Sequence, residues 1–204
     1  MRNPTPNKIL EEVSRFNSDE VRLEYLERLN QENLDEENKK FVFKLISEIY
    51  IKKKWWNNAA QAYSRIAELE KTFDGKMNAY LTTAKIYIKA EKYMYAFDTF
   101  QKALVLASNK QKPEVLAVRT SAFLNHAQEL EKERQLTKAI KAYHKVLETD
   151  TDNEYLIKDK IADLYDKIGN PQEANRIRPK KIQVKELPEI SKKEEINEIK
   201  NLLD

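Results

Sequence analysis

The sequence predicts an all-α protein in which pairs of helices stack one after another. Glycine and proline are scarce, at 2 and 6 of 204 residues, which disfavours a sheet of strands joined by tight turns. Apolar residues recur at helical spacing, as in the stripe of Phe41, Leu45, Ile46, Ile49 and Tyr50, and this spacing is typical of amphipathic helices. A set of small and large residues also returns along the chain, which favours a repeat architecture over an irregular helical bundle.

The first 38 residues are predicted to form two helices that cap the stack. Two prolines precede a first helix whose apolar face contains Ile9 and Val13. Ser18 is placed to cap a second helix that contains Leu26. Terminal units of repeat proteins need such a covering element. We therefore assign residues 1–38 to N-terminal capping helices.

The repeat is recognised by a small residue that is flanked by two large ones. One large residue lies four positions before the small residue, and the other lies three positions after it. The small residues are Ser47, Ala84, Ala127 and Ala162, and the steps between them are 37, 43 and 35 residues. A second set of small residues marks the partner helix of each pair, namely Ala59, Ala96, Ala139 and Ala174. Small side chains let paired helices approach closely. The step of 43 predicts an insertion in the loop at residues 108–113.

This pattern resembles the tetratricopeptide repeat (TPR), a helix–turn–helix unit with a period of about 34 residues. The resemblance covers residues 39–178 and implies about three full units and one truncated unit. It implies a right-handed helical repeat stack, a TPR-like α-α superhelix with N- and C-terminal capping helices. Two features depart from the family: the closing proline is absent after the first three units, and Thr83 and His126 stand where a leucine is usual.

Beyond the repeats the sequence predicts a linker and a last helix. Residues 179–190 contain an alternating stretch and two prolines, which indicates an extended linker. Residues 191–204 are predicted to be a C-terminal helix. Its apolar stripe consists of Ile196, Ile199, Leu202 and Leu203. Two interpretations stay open: the helix covers the fourth unit of its own chain, or it reaches a partner or a second copy and so builds a homo-oligomer.

Composition excludes several classes of enzyme. The chain has no cysteine and two distant histidines, which leaves no disulfide or thiol nucleophile and little for metal-assisted or histidine-based chemistry. Two glycines do not allow a glycine-rich phosphate-binding loop. We therefore predict a protein that is not an enzyme, with no catalytic residues, no metal site, no cofactor and no small-molecule substrate.

Charge and hydropathy bear on partner class and location. The 37 basic and 34 acidic residues are intermixed and leave a net charge of +3, so nucleic acid is disfavoured as a partner. No apolar run approaches the length of a membrane span, and the N-terminal residues lack the pattern of a secretory signal. These features predict a cytoplasmic protein with no transmembrane segment.

The resemblance to TPR proteins implies a concave groove, lined by the first helix of each unit, that binds a peptide or a protein partner. The residues expected to line it are Phe41, Lys44, Ile51, Lys52, Asn78, Leu81, Lys85, Ile88, Lys89, Leu124 and Gln128. Its lysines are expected to face a carboxylate-rich partner, and its apolar residues to accept apolar side chains. Three aspartates of the fourth unit, Asp159, Asp163 and Asp166, give the groove an acidic C-terminal end.

The sequence therefore predicts a non-catalytic protein–protein interaction module or adaptor. The two-carboxylate clamp known in the TPR family is disfavoured, because Glu48 replaces the asparagine that the clamp needs. Two alternatives stay open. One is a self-assembling scaffold, and the other is an RNA- or membrane-associated adaptor acting through the three lysines and two tryptophans of residues 52–56. Trp56 and His126 are expected to pack inward.

Overall fold

A computed structural model describes residues 4–149 and 153–179. Within these two ranges the chain forms α-helices and no strand. The helices are α1 (Pro6–Ser14), α2 (Asp19–Gln31), α3 (Glu36–Lys52), α4 (Trp56–Leu69), α5 (Phe73–Lys89), α6 (Tyr93–Leu106), α7 (Lys112–Lys132), α8 (Leu136–Leu147), α9 (Glu154–Lys167) and α10 (Pro171–Ile177). The predicted all-α class is confirmed. The predicted linker beyond Pro179 and the predicted helix at 191–204 lie outside the described residues.

Helices α3 to α10 pack as four consecutive pairs. Helix α3 contacts α4, α5 contacts α6, α7 contacts α8, and α9 contacts α10. A turn of three residues joins the two helices of every pair, and so short a connection makes them antiparallel neighbours. Successive pairs are joined by contacts of α4 with α5, α5 with α7 and α8 with α9. The result is a stack of helix pairs.

The turn inside each pair has the same backbone conformation in all four units. Its second residue lies in the left-handed region, with φ of 57° at Lys54, 57° at Glu91, 59° at Arg134 and 77° at Gly169. The next residue donates its N–H to the carbonyl five positions earlier, at 2.8–2.9 Å, as in a Schellman motif. These turn residues are separated by 37, 43 and 35 positions. The backbone therefore repeats at the same steps as the small residues.

The small residues of both sets lie where paired helices approach each other. All eight are 0% exposed. In the first pair the Ser47 hydroxyl donates to the Ala59 carbonyl at 3.2 Å and so links α3 to α4. A larger side chain at these positions has no space in a close-packed interior. The sequence repeat therefore reflects the packing of each pair.

The extra residues of the 43-residue step between Ala84 and Ala127 lie mainly in a longer helix. Helix α7 has 21 residues and α5 has 17. The loop at 107–111 is two residues longer than the loop at 70–72. The predicted loop insertion at residues 108–113 is therefore wrong in part, because Lys112 and Pro113 belong to the first turn of α7. Proline suits that position, since its fixed φ is helical and its missing N–H needs no partner there.

Helices α1 and α2 cover the first pair. Thr5 and Ser18 cap their N-termini, each accepting a hydrogen bond from the N–H three residues later. Ile9 and Leu26 are 0% exposed and lie in one apolar cluster with Val42 of α3. The apolar surface of α3 is thereby removed from water at this end of the stack.

The largest apolar cluster joins the later units. It contains the aromatic residues Phe100, Phe123 and Tyr143, which are at most 2% exposed. Phe97 stacks on Phe123 with ring centroids 5.0 Å apart. Burying rings of this size contributes several kcal/mol, by the rule of about 25 cal/mol per Å² of apolar surface. The cluster holds α5 to α9 in a fixed relation, which positions the clefts between them.

Candidate partner-binding clefts

Part of the predicted groove is assembled in a cleft between α5 and α7, which we call the α5–α7 cleft. It has a volume of about 260 Å³. It is lined by Lys85, Ile88 and Lys89 of α5 and by Ser121, Ala122, Asn125, His126 and Glu129 of α7. Three of the predicted groove residues therefore face the first helix of the next unit.

A larger cleft of about 540 Å³ adjoins the first at the turns between helices, and we call it the turn cleft. Trp55 lines it from the turn between α3 and α4, and Trp56 lines it from the first turn of α4. The turn cleft and the α5–α7 cleft share Lys89, His126 and Glu129. The two clefts therefore adjoin and form a depression that is lined by residues of the first three units.

The junction of the two clefts is crossed by an ion pair between Lys89 and Glu129. The Lys89 side chain is 33% exposed. Burial lowers the pKa of Lys89, and the charge of Glu133 acts in the opposite direction. The pair connects α5 to α7 and places one cation and one anion at the centre of the depression.

Lys85 lies one helical turn before Lys89 at the rim of the α5–α7 cleft. It is exposed, and it has no ion pair with any residue that the structure describes. Lys44 is likewise exposed and lacks an ion pair within that same part of the chain. By contrast, Lys52 pairs with Asp19 of α2 at 2.8 Å. The four lysines predicted to line the groove therefore differ in their pairing. Lys52 and Lys89 form ion pairs within the protein, whereas Lys44 and Lys85 form none with the described residues.

His126 forms part of the wall of both clefts. It is 4% exposed, and neither ring nitrogen has a hydrogen-bond partner in the described part of the chain. Burial, followed by the nearby charge of Lys89, lowers the pKa of His126 to about 4. The imidazole is therefore neutral near pH 7 and has one unused donor and one unused acceptor. The prediction that His126 packs inward agrees with its burial, but its unused nitrogens could not be foreseen.

Tyr93 lies beside His126, with ring centroids 6.2 Å apart in an edge-on arrangement. Its hydroxyl is also buried without a hydrogen-bond partner in the described residues. Burial, with a smaller effect of Glu91, raises the pKa of Tyr93 to about 12. Two polar side chains next to the depression thus lack partners, and such groups are rare in protein interiors.

Apart from Lys85, Ile88 and Lys89, the residues of the predicted groove line neither cleft. Ile88 itself is only 1% exposed and belongs to the core. Phe41, Ile51, Leu81 and Leu124 are half-buried. They pack against apolar clusters. Asn78 and Gln128 are exposed. That the apolar members accept side chains of a partner stays a prediction.

The predicted acidic end of the groove is engaged by the chain itself. Arg178, which follows α10, contacts Asp159 at 3.5 Å, Asp163 at 3.2 Å and Asp166 at 2.7 Å. Its guanidinium has five N–H donors and so can serve several carboxylates at once. The sequence analysis missed this role of Arg178, although a basic residue directly after the last repeat helix was a usable signal.

The lysines before Trp55 are largely neutralised by α2. Lys52 pairs with Asp19 and Lys53 pairs with Glu20. The Lys53 ammonium also lies 5.4 Å from the centre of the Trp55 ring. Internal pairing of two of the three lysines weakens the electrostatic attraction that a nucleic acid or an anionic membrane needs.

The two tryptophans have different environments. Trp56 is half-buried and packs against a cluster formed by Ala59, Ala60 and Ile86, as its predicted inward packing requires. Trp55 is 50% exposed, and its ring centre lies 6.0 Å from that of Tyr50. Trp55 is therefore the exposed aromatic residue of the turn cleft.

Comparison with known proteins gives distant likenesses. No protein-family model matches the chain, and no curated protein matches it. A crystal structure of MamA is 15% identical over 87% of this chain and 92% of that chain, with a TM-score of 0.40. MamA residues 41–end from Desulfovibrio magneticus RS-1 is 15% identical over 84% and 88% of the two chains, with a TM-score of 0.41.

A further structure, of MamA AMB-1, is 16% identical over 84% of this chain and 92% of that chain, with a TM-score of 0.38. These likenesses are too weak to support an argument about function. The fold is TPR-like. That assignment is based on the structure of the chain itself, namely its repeated helix pairs and their matching turns.

The described residues contain neither a membrane-spanning helix nor a cluster of metal-ligating side chains. No helix among residues 4–149 and 153–179 is long and apolar enough to cross a membrane. In the same ranges no group of three or more histidine, aspartate or glutamate side chains is placed to hold a metal ion.

Proposed function

We propose that this protein is a non-catalytic interaction module of the TPR family that binds a peptide segment of a partner protein in the joined clefts. The observation that carries the proposal is Lys85, which is exposed at the rim of the α5–α7 cleft and has no ion pair with any described residue. A carboxylate of a bound peptide can supply the missing partner.

The shape of the depression supports a peptide as the ligand. The joined clefts extend from Ser121 in the α5–α7 cleft to Trp55 in the turn cleft. An elongated surface of this kind suits a chain segment, which places successive side chains along it. Trp55 offers an aromatic surface at one end, and such residues often contribute strongly to binding.

The charges of the α5–α7 cleft favour an acidic segment. Lys85 is exposed without an ion pair in the described residues, and Lys89 is held only by Glu129 at the junction. A carboxylate of the partner accepts hydrogen bonds from Lys85 and competes with Glu129 for Lys89. Hydrogen bonds between charged groups are stronger than neutral ones, and complementary charge also speeds association.

The first experiment is selection of peptides from a random display library on the full chain. The affinity of the strongest selected peptide is then measured for the unchanged protein and for Lys85→Glu and Lys141→Glu. Lys141 is the matched control, because it is an exposed lysine of α8 without an ion pair in the described part of the chain. It lies outside both clefts.

We expect Lys85→Glu to weaken binding about tenfold at low salt, which corresponds to about 1.4 kcal/mol, and Lys141→Glu to leave it nearly unchanged. The difference between the two variants should shrink at high salt, because exposed charges are screened. Failure to enrich any peptide, or equal effects of the two variants, contradicts the proposal.

Two competing functions give different results with the same protein. Retention on RNA or on anionic vesicles that is lost in the double variant Trp55→Ala with Lys53→Ala would assign function to residues 52–56. An average mass that increases with concentration in light scattering would favour a self-assembling scaffold. The partial exposure of Trp55 is the feature that makes the first of these measurements worthwhile.

A further inference from the structure

A third cleft is lined mainly by α2, α3 and α4, and we call it the α2–α4 cleft. It has a volume of about 560 Å³. Helix α2 lines it from Glu27 to Gln31, and α4 lines it from Asn58 to Glu68. Neither of the other two clefts includes a residue of α2. Among the described residues, the α2–α4 cleft shares Asn58 alone with the turn cleft, so it is a distinct surface.

Aromatic side chains lie at the end of this cleft where α4 begins. Tyr50 and Tyr87 line the cleft and pack against a cluster that contains Ala59 and Ala60 of α4. Tyr87 stacks on Tyr95 of α6, with ring centroids 5.6 Å apart and ring planes 28° apart. Tyr95 is 59% exposed. A ligand in the cleft therefore meets accessible aromatic rings at this end.

Amide side chains line the cleft from both α2 and α4. Asn30, Gln31, Asn58 and Gln61 belong to this lining. None of the four forms a side-chain hydrogen bond within the part of the chain that the structure describes. Three are exposed and Asn30 is half-buried. Each primary amide has two N–H donors and a carbonyl acceptor, so the cleft offers several uncharged donors to a ligand.

The charged groups of the cleft are mostly engaged by the chain itself. Arg65 pairs with Glu68 at 2.9 Å, and Glu27 accepts a hydrogen bond from the Tyr50 hydroxyl at 3.0 Å. Two carboxylates and one guanidinium leave an excess of one negative charge. The α5–α7 cleft has the opposite balance, with two lysines and one glutamate. An acidic segment is therefore disfavoured in the α2–α4 cleft.

Accessible rings beside uncharged donors fit a proline-rich segment in the polyproline II conformation. The backbone of such a segment forms no internal hydrogen bonds, so its carbonyls are free to accept them. Proline has no N–H, and the segment therefore needs donors from the protein. Proline-rich segments dock in aromatic-lined grooves with little loss of conformational entropy, because their conformation is formed in advance.

Other peptide conformations fit this cleft less well. An amphipathic helix needs an apolar groove, whereas α2 and α4 line this one mainly with amide and charged side chains. An added β-strand needs an exposed sheet edge, and the described residues form no strand. The ten-residue step from Asn58 to Glu68 along α4 is about 15 Å. About five residues in the polyproline II conformation span that length.

We propose that the α2–α4 cleft binds a proline-rich segment that carries a basic residue beside its prolines. The proline rings pack against Tyr87 and Tyr95, and the amides of Asn58 and Gln61 donate hydrogen bonds to the backbone carbonyls of the segment. The basic residue pairs with Glu27. Together with the acidic peptide of the proposed function, this second site makes the protein a connector of two segments that differ in charge.

Three synthetic peptides of ten residues test the proposal on the full chain. The first has eight prolines between two arginines, the second has eight prolines between two glutamates, and the third has alternating glycine and serine between two arginines. Binding is followed by the backbone amide signals of the isotope-labelled protein in nuclear magnetic resonance. We expect the first peptide to bind saturably and to shift signals of α2 and α4. Equal affinity for the glycine–serine peptide would overturn the proposal.

The glutamate-flanked peptide tests the charge of the site. We expect it to bind several-fold more weakly than the arginine-flanked peptide at low salt, and the difference to shrink at high salt. Equal affinities at low salt would overturn the pairing of a basic residue with Glu27. Shifts concentrated around Lys85 in place of α2 would overturn the assignment of the site.

Two exposed residues of the proposed contact are then replaced by alanine. Tyr95→Ala is compared with Tyr155→Ala, because Tyr155 is 45% exposed on α9 and lines none of the three clefts. Gln61→Ala is compared with Gln101→Ala, since Gln101 is an exposed glutamine of α6. We expect Tyr95→Ala to weaken binding of the arginine-flanked proline peptide about fivefold and Gln61→Ala about threefold. Equal losses in the matched controls would contradict the assigned contacts.

One variant and one further probe separate this proposal from its alternatives. Lys85→Glu should leave the affinity for the proline peptide nearly unchanged, so failure of the acidic-peptide site and failure of this site are distinguishable. Cellohexaose is titrated under the same conditions, because aromatic rings beside amides also suit a sugar. Saturable binding of cellohexaose without binding of the proline peptide would overturn the proposal in favour of a carbohydrate.

Discussion

Lys89 of α5 and Glu129 of α7 form an ion pair at the point where the two clefts meet. The pair joins two successive units, which are 40 positions apart in the sequence at these residues. Both side chains are partly exposed, and exposed pairs contribute about 0.2–1 kcal/mol to stability. The pair therefore contributes little to stability and places a cation and an anion where the clefts meet.

The first prediction concerns this pair. Glu129→Gln should increase the affinity of an acidic selected peptide several-fold, because Lys89 is then no longer neutralised by the protein. The free energy of unfolding should fall by no more than about 1 kcal/mol. Glu68→Gln is the control, since Glu68 forms a similar exposed pair with Arg65 on α4. Titration calorimetry and urea unfolding provide the two measurements, and weaker binding with Glu129→Gln would contradict the proposed role of Lys89.

The second prediction concerns acid stability. The pKa of His126 is about 4 in the folded protein and about 6.5 in an unfolded chain. Between these values the unfolded chain binds more protons, so stability decreases as pH falls. His126 should account for roughly 3 kcal/mol of this loss between pH 6.5 and pH 4. The His126→Leu variant removes the titrating group and should have a flatter dependence.

Urea unfolding of both proteins at pH 7, 5.5 and 4.5 checks this prediction. The informative quantity is the difference between the two free energies of unfolding, because other acidic and basic groups titrate in both proteins. If that difference stays constant across the three pH values, His126 does not have the lowered pKa described above.

The third prediction concerns the left-handed turns. Lys54 has φ of 57°, and a residue with a Cβ atom is disfavoured there by about 1 kcal/mol. Lys54→Gly should therefore increase stability by about 0.5–1 kcal/mol. Ala90 is the first residue of the next such turn, but its φ is −75°. Ala90→Gly should decrease stability by about 0.5–1 kcal/mol, so opposite signs in urea unfolding are the expected outcome.

The fourth prediction concerns close packing of the pairs. Ala127 is 0% exposed, and Ala127→Leu adds three carbon atoms where α7 has no free space. We expect a loss of about 1–3 kcal/mol or more. Ala117 is an exposed alanine of the same helix, and Ala117→Leu should change stability by less than about 0.5 kcal/mol. Thermal unfolding of the two variants checks this, and similar losses in both would contradict close packing at Ala127.

The repeat could be predicted because it depends on local spacing. Ser47 and Ala84 are small for the same reason, since each lies against its partner helix. The N-terminal cap at Ser18 could be predicted on the same basis, because a capping side chain reaches only the following turn. Features fixed by a few neighbouring residues are therefore readable without the structure.

The candidate site could be predicted only in part. The sequence placed Lys85 and Lys89 together, since they lie one turn apart on a helix. It did not reveal that Glu129 neutralises Lys89 or that Arg178 engages Asp166, because each contact depends on how separate helices are placed. In a chain with 35% charged residues, many such pairs are equally compatible with the sequence. Which of these pairs form is decided by the packing of helices that are distant in the sequence.

The identical turns have a consequence for how such a chain changes in length during evolution. Because Lys54 and Glu91 have the same backbone conformation, a deletion that joins residue 54 to residue 92 restores an ordinary turn and removes one helix from each of two neighbouring pairs. The remaining α3 and α6 then meet as a new pair. Gain or loss of a segment that runs from one such turn to the next thus changes the number of helix pairs. Each remaining turn keeps the same backbone conformation.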